Sequence, residues 1–266
     1  MPKNPAWASA ICGVAADEIA ALARSLVGKR VLVAVAHSLQ RAEHGEQPVW
    51  MAAVLAAALG QIGLPGCGYN YALGAVANYG KRSNAVTVAA LPQGRNHVKA
   101  FIPVARISDM LLNPGQPFDY NGEKMIYPDI RLVYWVGGNP FHPHQDINRL
   151  RRAFASVETL VVHELAWTAT AKHADIVLPA TMTLEREDIG ATPTDQLMIA
   201  MHRLARPFGA ARDDYDIFTD LAERLGRAEA FTEGRTSRDW LRHLYEPTRE
   251  ALAKMGRPAP DFDTFW

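Results

Sequence analysis

The stretch Val133-Tyr134-Trp135-Val136-Gly137-Gly138-Asn139-Pro140-Phe141 decides the fold class. Its first four residues are apolar or aromatic and predict a buried strand, and the glycines, asparagine and proline that follow predict a loop. Glycine lets backbone N–H groups approach a ligand closely, and a loop at the C-terminal end of a parallel strand is where open α/β sheets bind ligands. From the pattern alone, a phosphate-binding loop and a plain turn between strand and helix are equally good interpretations.

The same alternation of strand and helix extends over the rest of the chain. Apolar segments predict strands at residues 31–36, 131–136, 159–163, 175–178 and 196–201. Amphipathic spacing predicts helices at residues 17–27, 48–62, 104–112, 144–154, 213–225, 238–245 and 247–254. The helix at 48–62 leads into a glycine-rich loop with Gly63, Gly66, Gly68 and Gly74. We therefore predict an α/β fold of Rossmann-like, nucleotide-binding units, with helices on both faces of a parallel sheet.

A turn-rich stretch at residues 113–127 predicts a boundary between two α/β units. Residues 1–126 are then the C-terminal part of one nucleotide-binding-like domain, and residues 127–266 form a second α/β domain with C-terminal helices. Only one predicted strand precedes this boundary, whereas a doubly wound sheet needs several. We therefore expect the chain to continue upstream in a longer protein, and its first unit to expose apolar surface.

Charge and composition exclude several classes of protein. Lys and Arg together number 28, as do Asp and Glu, so the formal charge is zero, whereas nucleic-acid binding favours a basic surface. Cys12 and Cys67 lie far apart, which argues against a disulfide framework and against a cysteine metal site. The longest apolar run, at residues 49–59, is too short to span a bilayer, and the N-terminus lacks the apolar core of a signal peptide.

Several catalytic motifs are absent from the sequence. No GxGxxG follows a strand, and neither GxxxxGK[ST] nor GxSxG occurs. His163-Glu164 begins like the zinc motif HExxH, but the fifth position is Trp167. His142 and His144 lack a third metal ligand at suitable spacing. The sequence therefore predicts no catalytic and no metal-ligating residue, and it disfavours a nicotinamide-dependent dehydrogenase.

Polar residues follow the next two predicted strands. Glu164 comes just past one strand, where a carboxylate can bind a ribose or a base edge, although a surface glutamate is the better interpretation of that residue alone. Pro179 ends the following strand, so Thr181 and Thr183 are expected at the same edge of the sheet as the two-glycine loop. By charge alone, residues 185–188 are a solvated charge run.

Seven segments of the chain are sequence motifs that can be compared, in order, with those of known families. They are SLQR at 38–41, HGEQ at 44–47, LGQIGLPG at 59–66, ALPQG at 90–94, GGNPF at 137–141, HQD at 144–146 and WTATAKHADIVLPAT at 167–181. In this order they resemble the molybdopterin-dependent S- and N-oxide reductases, the dimethyl sulfoxide reductase family, and in particular its biotin sulfoxide and trimethylamine-N-oxide reductases. The likeness extends over residues 5–244, and matched motifs of this length and order are highly specific.

The resemblance implies a cofactor and a set of residues that hold it. The family binds two molybdopterin guanine dinucleotides around one molybdenum, one on each of two α/β domains, and reduces sulfoxides or amine N-oxides by oxygen-atom transfer. A guanosine diphosphate arm is expected at the loop, with Glu164 facing the guanosine, although the family more often has Gln-Asp where this chain has His163-Glu164. The implied cofactor-binding residues are Gly137, Gly138, Asn139, Pro140, Phe141, His142, His163, Glu164, Asp175, Thr181 and Arg186.

The resemblance also implies that the chain is an internal segment. The family's serine metal ligand lies upstream of the matched region, and the domain that caps both pterins follows it. The expected partners are the molybdenum cofactor, the remaining domains of the parent enzyme and, in that enzyme, a small sulfoxide or N-oxide substrate. We expect the segment alone to lack reductase activity. The sequence does not identify the compartment and leaves open whether it is cytoplasmic or periplasmic. The alternative is a stand-alone module that binds a guanine nucleotide or a protein.

Overall fold

The computed structural model describes residues 2–72 and 82–266. The chain divides into two compact units, Met1–Arg82 and Ser83–Trp266. Gly74, the last residue of the predicted glycine-rich loop, lies outside the described residues. The domain boundary expected between residues 126 and 127 stays a prediction.

The first unit contains a two-stranded parallel sheet. Its helices are α1 Pro5–Cys12, α2 Ala16–Leu26 and α3 Glu46–Ala58, and its strands are β1 Leu32–Val35 and β2 Gly68–Tyr71. The two strands pair from Leu32 opposite Gly68 to Val35 opposite Tyr71. The apolar pattern places α2 and β1 correctly. It misses β2, because glycine and asparagine are depleted in strands.

Helix α3 ends earlier than the helix predicted at residues 48–62. The side chain of Gln61 donates from Nε2 to the Leu59 carbonyl at 3.2 Å and accepts the Val31 amide on Oε1 at 3.1 Å. It therefore satisfies one of the carbonyls left unpaired at the helix end and one amide just before β1.

The outer face of α3 exposes apolar side chains. Trp50 and Met51 are 64% and 56% exposed. A groove of ≈ 500 Å³ runs along this helix and is lined by Val33, Pro48, Met51, Ala52, Val54, Leu55 and Ala58. The expectation of exposed apolar surface on the first unit is confirmed.

The second unit is built around a three-stranded sheet. It begins with α4 Ile107–Leu112 and the strands β3 Pro117–Tyr120 and β4 Glu123–Ile126. The sheet consists of β5 Leu132–Val136, β6 Thr159–Glu164 and β7 Ile176–Pro179, with α5 Ile147–Phe154 between β5 and β6. The strands β8 Asp188–Gly190 and β9 Ile199–Met201 and the helices α6 Asp214–Arg224, α7 Ala228–Thr232, α8 Ser237–Lys254 and α9 Phe262–Phe265 follow. In the described part of the chain, no helix is both long and apolar enough to cross a membrane.

The strands β5, β6 and β7 lie side by side in this order, and all are parallel. Successive side chains of a strand point to opposite faces of the sheet. On one face Leu160 and Val162 of β6 pack with Leu150 and the rest of the buried face of α5. On the other face His163 stacks on Phe218 of α6, with ring centroids 5.0 Å apart. The predicted α/β class, a parallel sheet flanked by helices, is confirmed.

The turn-rich stretch expected at residues 113–127 contains a β-hairpin. β3 and β4 pair antiparallel, from Pro117 opposite Ile126 to Tyr120 opposite Glu123. Asn121 and Gly122 join them with φ angles of 50° and 83°. Two residues with positive φ are what a tight hairpin of this kind requires, and Asn-Gly is its most favourable sequence.

Helix α8 is continuous through Pro247, so the expectation of two helices at residues 238–245 and 247–254 is wrong. Proline removes one helical hydrogen bond. The buried side chains Leu241, Tyr245 and Thr248 are spaced by four and three residues, so one helix face stays packed on both sides of the proline. Burial of this face compensates for the lost hydrogen bond.

An ion-pair cluster joins α4 to α5. Asp109 accepts a hydrogen bond from Arg106 at 2.9 Å and pairs with Arg149 of α5. Burial tends to raise the pKa of the Asp109 carboxyl, but the hydrogen bonds and charges of the two arginines outweigh it and lower the pKa. The carboxylate therefore stabilises the fold in its charged form.

Asp109→Asn should lower the free energy of unfolding by about 1–2 kcal/mol at neutral pH, a modest value because both guanidinium groups are partly exposed. The folded pKa lies below the unfolded value of about 3.9, so this stabilisation is present above that value and is lost as the pH falls through the folded pKa. Urea titrations at about pH 7 and about pH 3 should show that the difference in free energy of unfolding between wild type and variant is smaller in acid. Asp119→Asn, whose ion pair with Lys124 is exposed, is the control. An equal gap at both pH values would contradict the prediction.

Candidate functional site at the carboxyl edge of the sheet

The loop that follows β5 has an open, glycine-only backbone. Gly137 and Gly138 have φ angles of 72° and 77°, and both residues are exposed. A Cβ atom placed on either residue meets no atom within 4 Å. The glycines are therefore required by the left-handed backbone conformation and not by crowding, and the space above them is open.

Two adjacent backbone donors in this loop have no acceptor within the described residues. The amides of Gly138 and Asn139 make no hydrogen bond there, whereas the Gly137 carbonyl accepts from the indole Nε1 of Trp135 at 3.0 Å. An unpaired N–H group is satisfied only by water or by a ligand acceptor. Adjacent unpaired amides at the carboxyl end of a parallel strand can donate hydrogen bonds to an anion.

Residues just after the glycines anchor the loop. Pro140 and Phe141 are buried, and the Phe141 ring stacks on His173 with centroids 4.4 Å apart. His142 is exposed, and its amide donates to the Asn139 carbonyl at 3.1 Å. The loop thus combines an exposed, donor-bearing part with a packed base.

Helix α5 begins at Ile147, three residues later than the helix predicted at residues 144–154. The His144 amide instead donates to the Pro140 carbonyl at 3.2 Å, which closes a turn around Pro143. Asp146 caps the helix by accepting the Arg149 amide on its side chain at 3.0 Å. Burial lowers the pKa of the His144 imidazole.

Glu164 ends β6 at the same edge of the sheet. The half-buried carboxylate accepts a hydrogen bond from the Thr168 hydroxyl at 2.7 Å and one from the Leu165 amide at 3.3 Å. The Thr168 hydroxyl also accepts the Ala171 amide at 3.2 Å. A carboxylate held by two donors retains further acceptor sites for a ligand.

The side chain of His163 points away from the loop. It is 3% exposed and lies on the α6 face of the sheet, with Nδ1 2.7 Å from an Asp214 carboxylate oxygen and Nε2 2.8 Å from the Tyr134 hydroxyl. Burial, together with the Asp214 charge, raises the pKa of the Tyr134 phenol. The structure therefore places His163 in a buried hydrogen-bond chain and does not bring its side chain to the loop.

At the end of the third strand, β7, the Thr181 hydroxyl is hydrogen-bonded within the protein. Thr181 is 2% exposed, and its hydroxyl donates to Asp213 at 2.6 Å. Arg186 donates to the Thr181 carbonyl at 3.3 Å and lies 3.6 Å from the carboxylate of Asp188. Both residues lie at the carboxyl edge, where the pattern predicts them; the Thr181 hydroxyl is already hydrogen-bonded, whereas the Arg186 guanidinium keeps further N–H donors.

Asp175 lies at the opposite end of the strands. It precedes β7, and its carboxylate accepts the amide of Leu160, near the start of β6, at 2.8 Å. The structure therefore separates Asp175 from the two-glycine loop by the length of the sheet. In the described part of the chain, no three His, Cys, Asp or Glu side chains converge on a common point.

Thr170 is the residue at this edge that the sequence does not single out. It is 0% exposed, and its hydroxyl donates to the Asn139 side-chain oxygen. The local sequence does not distinguish Thr170 from the nearby threonines Thr168 and Thr181. Its hydrogen bond to Asn139 joins the loops after two different strands, so it has no local signal.

The fold is α/β, and an exposed two-glycine loop lies at the carboxyl edge of its parallel sheet. The sequence matches the family model described as molybdopterin oxidoreductase over residues 9–224. The chain belongs to this family, as the motif resemblance predicts, and membership implies a molybdenum–pterin cofactor.

Within this family, the chain is similar to several named sulfoxide and N-oxide reductases. The chain is similar to a biotin sulfoxide reductase from Cereibacter sphaeroides, with 50% identity over 266 residues that cover 100% of this chain and 36% of that protein. A dimethyl sulfoxide/trimethylamine N-oxide reductase from the same organism is 45% identical, with 100% and 34% covered. A trimethylamine-N-oxide reductase from Haemophilus influenzae is 42% identical, again with 100% and 34% covered. The chain thus spans about a third of the length of the curated relatives it matches.

Proposed function

We propose that this chain is the cofactor-binding segment of a molybdenum-dependent S- or N-oxide reductase, and that it holds one guanine dinucleotide arm of the cofactor. The observation that carries the proposal is the pair of unpaired amides, those of Gly138 and Asn139, on an exposed loop at the carboxyl edge of the sheet. Family membership supplies the class of cofactor, and the loop supplies the place where its phosphates bind.

The residues present fit a diphosphate. Phosphate oxygens accept hydrogen bonds from backbone N–H groups, and the absence of side chains on Gly137 and Gly138 leaves 4 Å of open space for their approach. The buried ring of Phe141 keeps the loop fixed from below, so little conformational entropy is lost when the ligand binds.

Glu164 fits the guanosine end of the same arm. It ends the strand next to β5, with acceptor sites left on its carboxylate. A carboxylate at this position can accept N–H groups of the guanine edge or hydroxyl groups of the ribose. At the far side of the edge, Thr181 has a structural role through its hydrogen bond to Asp213, and Arg186 keeps guanidinium donors for the arm.

The chemistry of the parent enzyme belongs to the cofactor. When bound, molybdenum supplies oxygen-atom transfer from a sulfoxide or amine N-oxide. This chain contributes binding and orientation, and we assign no catalytic residue and no metal ligand to it.

The test is calorimetric titration of the chain with GDP, as a surrogate for the guanosine diphosphate arm, and with ADP for comparison. Wild type should bind GDP saturably. Gly138→Val should bind at least about tenfold more weakly, because valine strains the left-handed backbone and fills the approach to the amides. Gly209→Val is the matched control, since Gly209 also has a positive φ, of 57°, and open space around it.

Equal affinity in Gly138→Val and wild type would refute a phosphate site at this loop. Absence of GDP binding to wild type that circular dichroism shows to be folded would refute the proposed function of the isolated chain. ADP bound as tightly as GDP would leave the phosphate site in place and remove Glu164 from base recognition.

A further inference from the structure

The loops after β5 and β6 are joined by one buried side-chain hydrogen bond. Thr170 is 0% exposed, and its hydroxyl donates to Oδ1 of Asn139. In residues 2–72 and 82–266 this hydroxyl has no other hydrogen-bond partner, and Nδ2 of Asn139 has none at all. The contact therefore determines which end of the Asn139 amide faces the protein and which faces the open loop.

The burial of Thr170 selects one of the two amide orientations. If the Asn139 amide were turned over, its N–H would point at the Thr170 oxygen, and the hydroxyl hydrogen would have no acceptor in the described chain. A buried donor without an acceptor is costly, whereas a half-exposed amide N–H can bond to water. The favourable arrangement keeps Oδ1 against Thr170 and turns both Nδ2 hydrogens outward.

We propose that Thr170 is a positioning residue that holds the Asn139 amide with its N–H groups toward the bound diphosphate. This rests on the proposed function and adds to it a third donor group, beside the amides of Gly138 and Asn139. The opposite orientation presents a carbonyl oxygen to the phosphate oxygens, which is repulsive. The threonine thus raises affinity by fixing the orientation before the ligand arrives.

A second contact keeps the two loops in register. His173 stacks on Phe141 at 4.4 Å, and its Nδ1 lies 2.7 Å from the Ala169 carbonyl oxygen, to which it must donate. Residues 169–173 therefore hold residues 139–141 at two points, the Thr170 hydrogen bond and the ring stack. Because the stack remains when the hydroxyl is removed, a Thr170 variant can change the amide orientation without releasing the loop.

Thr170→Val removes the hydroxyl and keeps the shape, whereas Thr170→Ser keeps the hydroxyl. By calorimetry, Thr170→Val should bind GDP about tenfold more weakly than wild type, the effect of about one hydrogen bond, and Thr170→Ser should stay within about threefold. Thr87→Val, at an exposed threonine that is not placed at this edge, is the control for the substitution itself. Wild-type affinity in Thr170→Val, or equal losses in Thr170→Val and Thr170→Ser, would overturn the proposal.

A second readout does not depend on the ligand. In ¹⁵N–¹H spectra, the Asn139 side-chain amide, identified by its loss in Asn139→Asp, should shift in Thr170→Val and keep its position in Thr170→Ser. An unchanged signal in Thr170→Val overturns the orientation argument. If wild type binds no GDP while the signal shifts as expected, the proposed function fails and the orientation by Thr170 stands. Thr170→Ala serves in place of Thr170→Val if the latter does not fold.

Discussion

Leu150→Ala is expected to lower the free energy of unfolding by about 3–5 kcal/mol. Leu150 is 0% exposed and lies in the cluster in which α5 packs on β6, with Phe154 and Val162 among its members. Alanine removes the buried branch of the side chain and leaves a cavity, because the surroundings relax only partly. Thermal unfolding followed by near-ultraviolet circular dichroism should show a midpoint lowered by roughly 10 °C for a chain of this size.

Arg152→Ala on the exposed face of the same helix is the matched control, with an expected change within about 0.5 kcal/mol. Phe141 belongs to the same cluster as Leu150, so amide exchange in the loop after β5 should become faster in Leu150→Ala and not in Arg152→Ala. A decrease of less than about 1 kcal/mol in the free energy of unfolding of Leu150→Ala would contradict the packing of α5 on β6.

The central strand–loop unit could be predicted because its signals are local. Apolar residues predict β5, and the glycines that follow need no tertiary information to be recognised as a loop. The hairpin of β3 and β4 is also predictable from sequence, since Asn121-Gly122 is a strong turn signal. The surrounding Pro, Asn and Gly residues instead favour the interpretation of this stretch as a boundary between two α/β units.

Other features depend on tertiary packing. β2 pairs with β1 despite its unfavourable strand composition, and Pro247 is accepted inside α8 because Tyr245 and Thr248 are buried on the same face. Local propensity cannot report such compensation, since the stabilising contacts come from residues distant in sequence.

For the candidate site, the sequence predicts which residues lie near the strand ends and not what their side chains contact. Asp175 precedes its strand, so the direction of β7 alone places it at the amino end. His163 belongs to a strand buried on both faces, where an apolar run does not show which face a polar residue joins. The pairing of Thr170 with Asn139 joins residues 31 positions apart and has no local signal.

His163→Leu is expected to lower the free energy of unfolding by about 2–4 kcal/mol. The imidazole links the Tyr134 hydroxyl, at 2.8 Å, to the Asp214 carboxylate, at 2.7 Å, and it stacks on Phe218. Leucine leaves the half-buried hydroxyl unpaired, which costs about 1–3 kcal/mol, and removes an aromatic contact of about 0.5–1.5 kcal/mol. Urea unfolding measures the loss, and His97→Leu, at an exposed histidine, should change it little.

The double variant Tyr134→Phe/His163→Leu distinguishes an unpaired hydroxyl from simple loss of packing. Removing both hydrogen-bonding partners is far less costly than removing one, so the double variant should be more stable than His163→Leu alone. If the double variant is instead less stable than His163→Leu by the full cost of Tyr134→Phe, the two effects are independent. In that case the chain from Tyr134 through His163 to Asp214 does not act as a unit in joining β5, β6 and α6.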